Sequence, residues 1–317
     1  MSAPRRTLRI ASLLPSATEI VYALGLGDEL VAVTHECDYP PEAAAYPAVT
    51  RSLLAPGLPS AEIDRAVRAS ARDAHTIYEL DADRLVALAP EVVLTQSLCE
   101  VCAVPRSDVE EAVCSMPDGA RVVSLDPHTI DGVLDSIALA GDALGVPDCA
   151  RQLVADLRGR IDAVRRSVAG AREQPRVLCC EWLDPIYCGG HWVPEQVRIA
   201  GGEDGLGREG EPSAAIAWDE VLRYAPEVLV LMPCGFDETE AAARLADLSA
   251  RAGWSDIPAV RDGRVFAVDG SAYFSRPGPR LVDGTELLAR ILHPRLVGLR
   301  PVGVLRLGPH GEFEPYP

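Results

Sequence analysis

The chain has 317 residues, of which 48% are hydrophobic and 24% charged, as in an ordinary globular protein. This length exceeds the usual size of a single hydrophobic core, so two domains are expected. Lysine and arginine number 30 against 47 aspartates and glutamates, which gives a formal net charge of −17. Such an acidic surface repels phosphate backbones and anionic lipid, which argues against nucleic-acid or membrane-surface binding. No apolar run approaches the roughly 18 residues of a transmembrane helix, so no membrane span is predicted.

The amino-terminal sequence is relevant to where in the cell the protein is expected. Arg5-Arg6 precede a short apolar stretch, as in some export signals. Pro15-Ser16 interrupt that stretch, and cleavage there would remove the first predicted strand. Nine cysteines, an odd number, do not indicate a disulfide-stapled scaffold. We therefore expect a cytoplasmic protein, with export through a twin-arginine-like signal as the alternative.

In the first half of the chain, apolar runs predict buried strands and capped segments predict helices. Ser16 lies three residues before Glu19, the capping-box pattern of a helix start. This helix should end near Gly25 or Gly27. The predicted strands are residues 8–14, 31–33, 92–94 and 121–125.

The second half repeats a unit of the first. Two helical patterns lead into it, at residues 129–144 and 148–170, and the second is long and charged. A strand follows at residues 176–180. Residues 85–94 then align with residues 221–230, each copy being a short helix, an Ala-Pro-Glu turn and a buried strand.

These patterns predict an α/β fold of two Rossmann-like lobes with parallel sheets. The N-terminal lobe would comprise residues 1–147 and the C-terminal lobe residues 173–317, joined by a long rigid helix at residues 148–172. Two similar lobes of this kind would flank a ligand cleft.

Several motifs resemble one known family. They are Leu-Pro-Ser-Ala-Thr-Glu at residues 14–19, Gly-Leu-Gly at 25–27, Asp-Tyr-Pro-Pro at 38–41, the two Ala-Pro-Glu turns, and Gly201-Gly202. In combination they are similar to the cobalamin-binding substrate-binding proteins of ABC importers, a group that also includes siderophore and heme binders. The resemblance spans roughly residues 8–292 and implies a two-lobed binding protein, not an enzyme, whose ligand is cobalamin, another corrinoid or a related small metal chelate.

The resemblance also implies ligand contacts in both lobes. Asp38 and Tyr39 would belong to the first lobe, and the second would contribute Trp192, Trp218, Tyr273, Phe274 and Arg276. A corrin is a broad, mostly apolar disc edged with amides, so aromatic faces and a few hydrogen-bond donors suit it. An ABC permease would be the partner if the protein is exported, and no catalytic residue is predicted.

Cysteine-bearing segments near the ends of the predicted strands support a competing hypothesis. The carboxyl ends of parallel strands line the ligand crevice of an open α/β sheet, where soft metal ligands could converge. The candidate ligands are His35, Cys37, Cys99, Cys102, Cys179, Cys188 and Cys234. The protein would then be a cytoplasmic metallochaperone, redox protein or metalloenzyme that holds zinc, iron or an iron–sulfur cluster. The Cys99-x-x-Cys102 pair has the spacing of zinc sites and redox dithiols and lies just past a strand end, which favours a metal or redox role; loop packing is the alternative.

The alternation of side chains along a strand and the local sequence limit which cysteines and histidines can be metal ligands. Cys179 and Cys180 should point to opposite faces of their strand, so at most one can reach a cleft. His191 follows two glycines and is interpreted as a solvated loop residue, with metal ligation as the alternative. His128 has no convergent partner in the sequence and is predicted to be a surface residue.

Overall fold

The chain divides into two compact units. The computed structural model describes residues 7–72, 76–97, 104–298, 303–309 and 311–316. The first unit comprises residues 1–127 and 131–156, and the second residues 128–130 and 157–317. The division therefore falls inside the long helix that we expected to stand between the lobes. No helix within the described ranges is long and apolar enough to cross a membrane.

The first unit is built on short, mostly buried strands. Its strands are β1 Ile10–Ser12, β2 Leu30–Ala32, β3 Thr50–Ser52, β4 Tyr78–Leu80, β5 Val92–Thr95 and β6 Arg121–Ser124. Its helices are α1 Pro15–Ala23, α2 Ser60–Arg72, α3 Ala82–Ala87, α4 Arg106–Cys114, α5 Ile130–Ala143 and the first part of α6 Pro147–Val168. Four strands form a parallel sheet in the order β2-β1-β5-β6, and β3 pairs antiparallel with β4.

Helix α1 ends as predicted but begins differently. Pro15 occupies its first turn and no side chain caps it, so the expected capping box of Ser16 and Glu19 is wrong. Proline has a fixed φ and no N–H to satisfy, which suits the first helical position. After the helix ends, Gly25 adopts a left-handed φ of 75°, the conformation that favours glycine.

The second unit contains a six-stranded sheet. Its strands are β7 Val177–Leu183, β8 Ile186–Cys188, β9 Val228–Leu231, β10 Val265–Val268, β11 Val304–Leu307 and β12 Phe313–Pro315. Its helices, besides the rest of α6, are α7 Val193–Ile199, α8 Trp218–Tyr224, α9 Glu238–Ala243, α10 Ala246–Ser249, α11 Pro258–Arg261 and α12 Leu281–Leu292. The strand order is β12-β11-β10-β9-β7-β8.

The α/β class is confirmed, but the second sheet is mixed. Only β7, β9 and β10 run parallel, whereas β8, β11 and β12 add antiparallel pairs at its two edges. The two-residue connection of β7 to β8 allows only a hairpin, because a parallel crossover needs a dozen or more residues.

The internal repeat has a shared backbone signature. Ala89 and Ala225, which open the two Ala-Pro-Glu turns, both have positive φ, at 41° and 49°. Each follows a short helix, α3 or α8, and precedes a buried strand, β5 or β9. A left-handed residue reverses the chain so that the strand can run back along the helix.

One arginine and one glutamate support each turn. The Arg9 guanidinium donates to the carbonyl of Ala89 at 3.1 Å, and that of Arg176 donates to the carbonyl of Ala225 at 3.0 Å. The backbone N–H of each arginine donates in turn to the glutamate of the facing turn. The same pattern of hydrogen bonds therefore anchors the start of the first strand of each unit to the end of the short helix beside it.

Candidate functional site

The loop that follows β2 carries an exposed cluster of aromatic and polar side chains. The Nδ1 atom of His35 lies 2.8 Å from the hydroxyl of Thr50, and the His35 ring packs against Tyr78 with ring centroids 5.3 Å apart. The hydroxyl of Tyr78 donates to Glu36 at 2.7 Å. Strand β3 supplies Thr50 and β4 supplies Tyr78, so the antiparallel pair holds this loop in place.

Cys37 lies in the same loop but points inward. Its Sγ is 3.0 Å from the hydroxyl of Thr18 and 3.2 Å from that of Thr34. Thr18 already donates to Ser12, and Ser12 donates to the carbonyl of Leu14. Each hydroxyl has only one proton, so the thiol must be the donor to Thr18. Cys37 is therefore a protonated thiol in a buried network, which disfavours metal ligation.

Asp38 and Tyr39 complete the outer face of this loop. Both side chains are exposed, and Tyr39 is one of the few large hydrophobic residues of the described chain that solvent reaches so freely, with 45% of its surface accessible. An exposed aromatic ring next to a carboxylate offers an apolar face and an acceptor to a small molecule.

In the second unit, Trp192 and Phe274 join two loops. The indole N–H of Trp192 donates to the carbonyl of Phe274 at 2.7 Å, and both side chains are buried. The amide of Gln196 donates to the carbonyl of Leu281 at 2.8 Å, and more weakly to that of Tyr273. These bonds fix the turn at residues 271–275, so Trp192 and Phe274 shape the site without an open face of their own.

Tyr273 within this turn and Arg276 just after it are more accessible. Tyr273 and Arg276 are half-buried, and Asp269 accepts a 2.7 Å hydrogen bond from the N–H of Ala272. Burial raises the pKa of Tyr273 above its ordinary value, and Asp269 adds to the effect. Burial also raises the pKa of Asp269, although Arg280 opposes that shift. The turn thus presents a neutral phenol that interacts electrostatically with the guanidinium of Arg280.

Two buried carboxyl groups support the loop between β8 and α7. Glu181 accepts a 2.8 Å hydrogen bond from the N–H of Gly190, and burial raises the pKa of its carboxyl to about 7. Asp204 accepts from the N–H groups of Leu206 and Gly207, and burial raises its pKa to about 6. The Oδ2 atom of Asp204 is buried and has no hydrogen-bond partner among the described residues. Both groups therefore favour the protonated form more than exposed carboxyls do.

The same loop places His191 between two other rings. Its ring centroid is 5.6 Å from that of His128 and 5.5 Å from that of Trp192. Burial, and secondarily the nearby His128, lowers the pKa of His191 below its ordinary value. The imidazole of His191 is therefore neutral at neutral pH.

The sequence profile of the periplasmic binding protein family matches residues 10–272. The chain belongs to the periplasmic binding protein family. Two relatives span nearly all of this binding protein. It is 26% identical over 293 residues to the uncharacterized ABC transporter substrate-binding lipoprotein YvrC of Bacillus subtilis, covering 90% of this chain and 80% of that one. It is 24% identical over 294 residues to a vitamin B12-binding protein of Vibrio cholerae, covering 90% and 88%.

Solved structures share the fold of this family member. The periplasmic heme-binding protein RhuT from Roseiflexus sp. RS-1 aligns with a TM-score of 0.70 at 22% identity, covering 91% of this chain and 99% of RhuT. The periplasmic vitamin B12 binding protein BtuF of Vibrio cholerae aligns with a TM-score of 0.66 at 23% identity, covering 90% and 96%. The resemblance found in the sequence is confirmed at the level of the family.

The ligand contacts that we expected in this binding protein differ in exposure. Asp38 and Tyr39 are exposed and Tyr273 and Arg276 half-buried, whereas the second-unit aromatics Trp192 and Phe274 are buried. Trp218 packs partly against the core, and its indole N–H donates to the carbonyl of Ala252 at 2.7 Å. Its geometry therefore gives no support to a role in ligand binding.

The hypothesis of a thiolate metal or cluster site gains no support from the structure. In the described part of the chain, no group of three or more histidine, cysteine or acidic side chains could hold a metal ion. Cys179 and Cys188 are buried, and burial raises the pKa of both thiols, so they stay protonated. Cys234 is exposed, as is His35. Cys99 and Cys102 lie outside the described residues.

Sequence reasoning missed the pairing of His128 with His191. The two residues are 63 positions apart and no local pattern links them. The one hint in the sequence was the Gly189-Gly190 pair before His191, because consecutive glycines allow another segment to pack closely against the backbone. A Cβ at Gly190 would lie 2.1 Å from the backbone nitrogen of Ser213, so the loop requires glycine there.

Proposed function

We propose that this periplasmic binding protein binds a cobalamin-type corrinoid, or a closely related metal chelate, and delivers it to an ABC-type permease. The observation that carries the proposal is the similarity to a vitamin B12-binding protein over 90% of the chain. Similarity along nearly the whole chain supports a shared ligand class better than a matched motif does.

The exposed chemistry of each unit supports this ligand class. In the first unit, Tyr39 offers an accessible aromatic face and Asp38 a carboxylate acceptor. In the second unit, Tyr273 and Arg276 offer a phenol and a guanidinium. A corrin presents apolar surface at its centre and amide groups at its edge, so aromatic faces with a few donors and acceptors match it.

The overall charge favours a corrinoid over heme. Heme carries two carboxylates, whereas the edge of a corrin carries uncharged amides. The net charge of −17 repels a dianion at long range, although salt screens that repulsion beyond about 8 Å at physiological ionic strength. Heme is therefore the second candidate, to be compared directly in the same assay.

The first prediction concerns affinity. Hydroxocobalamin or cyanocobalamin should quench the fluorescence of the four tryptophans and shift the visible spectrum, with saturation at one ligand per chain. Tyr39→Ala and Arg276→Ala should each raise the dissociation constant for cobalamin about tenfold, because each variant loses roughly 1.4 kcal/mol of binding free energy.

Matched controls separate contact loss from general damage. Leu139→Ala removes a side chain of the first unit with 43% exposure, close to the 45% of Tyr39. Arg208→Ala removes an exposed arginine of the second unit. Both controls should bind like the unaltered protein. If neither cobalamin form changes the fluorescence or the spectrum at tens of micromolar, while heme does, the corrinoid assignment fails.

The location of the protein and the thiolate alternative need separate measurements. Delivery to a permease requires that the protein reach the outer face of the membrane, which a cytoplasmic location would exclude. Cell fractionation with N-terminal sequencing of the mature protein decides between them. Elemental analysis of protein purified without added metal would show bound zinc or iron if the cysteines formed a metal or cluster site.

A further inference from the structure

Two imidazoles lie close together in the second unit. The ring centroids of His128 and His191 are 5.6 Å apart, and the ring planes are inclined at 40°. His191 is half-buried and His128 is exposed, so solvent reaches the pair from one side. No part of the proposed corrinoid binding uses these two residues.

The backbone fixes the position of His191. Its φ is 50°, a left-handed conformation that a residue with a Cβ rarely adopts. Its N–H donates to the carbonyl of Glu211 at 2.6 Å, and its carbonyl accepts from the N–H of Gly210 at 2.8 Å. Tertiary hydrogen bonds therefore hold a strained backbone in place, a combination found often at functional sites.

The segment that carries His128 is held as well. The N–H of Ile130 donates to the carboxylate of Glu195 in α7 at 2.9 Å, and residues 128–130 cluster with the second unit. The ring of His191 is supported from another side by Trp192, at 5.5 Å. The backbone segments that carry both imidazoles are thus held before any ligand arrives, which reduces the entropy lost on binding.

The spacing suits a shared metal ion. Two imidazoles that bind one ion through bonds of about 2.0–2.1 Å, at a near-tetrahedral angle, place their ring centroids on the order of 5 Å apart. Neutral imidazole is the form that ligates, and it favours zinc, nickel and copper among the common divalent ions.

We propose that His128 and His191 form a two-ligand site for a divalent transition-metal ion of the zinc, nickel and copper group. Water completes the coordination sphere, because the described residues contain no group of three or more protein ligands. The ion is not one held in a macrocycle. A planar tetradentate ring leaves two positions on opposite faces, whereas these imidazoles lie against each other. The two imidazoles together therefore cannot ligate the central metal of a corrinoid, and the proposed ion is a separate one.

The test uses the full chain, stripped with a chelator and titrated calorimetrically with NiCl2 and with ZnCl2. We expect one ion per chain, with affinity weakened at least tenfold in His128→Gln and in His191→Asn. Asparagine tolerates left-handed backbone, so His191→Asn removes the imidazole with little change in the strain of the loop. The electron paramagnetic resonance spectrum of Cu2+-loaded protein should show two coordinated nitrogens, and one in either variant.

Two controls keep the outcome specific. His293→Gln removes an imidazole of the second unit that is hydrogen-bonded to the carbonyl of Gly201, and it should leave the affinity unchanged. Circular dichroism and thermal unfolding of the two site variants should match those of the unaltered protein. The proposal is overturned if the stripped protein binds no ion, or if folded single variants bind as tightly as the unaltered chain. Cobalamin titrations of the same variants should be unaffected, so the two proposals fail or succeed separately.

Discussion

At the scale of single residues, Asp204 gives the clearest prediction. Its pKa is about 6 in the folded protein against an ordinary 3.8, so the folded state binds this proton more tightly than the unfolded state. Stability from this proton is present at low pH and is lost as pH rises from about 4 to about 6. In Asp204→Asn the free energy of unfolding should no longer fall over this pH window, whereas in the unaltered protein this carboxyl lowers it by up to about 3 kcal/mol.

Urea unfolding at several pH values measures this difference. Asp135→Asn removes an exposed carboxyl of helix α5 and should leave the pH profile unchanged. Parallel stability curves for the unaltered protein and Asp204→Asn between pH 4 and pH 7 would show that the carboxyl is solvated in the folded state, contrary to its burial here.

Individual site residues were only partly predictable from the sequence. The segment 35–39 follows the end of a buried strand, and the structure places a cluster of polar and aromatic side chains there; their role in binding stays a prediction. The sequence could not show that Cys37 points inward, because this depends on the packing of its loop against the hydroxyl of Thr18 in helix α1. Nor could it pair His128 with His191, since their contact depends on how separate loops pack.

At the scale of elements, the repeated Ala-Pro-Glu turns make a prediction about backbone strain. A left-handed alanine costs roughly 1–2 kcal/mol, and glycine avoids that cost while losing about 0.5–1 kcal/mol more backbone entropy on folding. Ala225→Gly should therefore raise the free energy of unfolding by about 0.5 kcal/mol. The change should appear as a higher urea midpoint with the same denaturant slope.

The sign of this effect distinguishes a strained turn from an ordinary helical position. Ala69→Gly, at an exposed position inside α2, should instead lower the stability by about 1 kcal/mol. A loss of similar size in Ala225→Gly would contradict the left-handed conformation at that turn.

Most elements were foreseeable, and the exceptions have physical reasons. Apolar runs located β5, β6 and β7, and helical periodicity located α5 and α6, because burial on one or both faces leaves a regular pattern. The antiparallel edges of the second sheet were not foreseen. Strands β11 and β12 follow the last helix, outside the internal repeat, and are partly exposed, so their pattern is weak.

At the scale of the whole molecule, composition and motifs were sufficient for the family and insufficient for the ligand. Two units, an α/β architecture and a long charged helix follow from length, periodicity and repetition. The cysteines drew attention to a thiolate metal site, yet in the described residues they are mostly core thiols or exposed singly. Burial explains this pattern, since a free cysteine behaves as a small hydrophobic residue.

Native mass spectrometry of the purified chain with hydroxocobalamin tests the central claim most directly. We predict a complex of one cobalamin per chain that forms at micromolar ligand, resists competition by non-corrinoid chelates and is weakened in Tyr39→Ala. A spectrum that contains only unliganded chain at tens of micromolar cobalamin, from protein whose unfolding transition is cooperative, would contradict it.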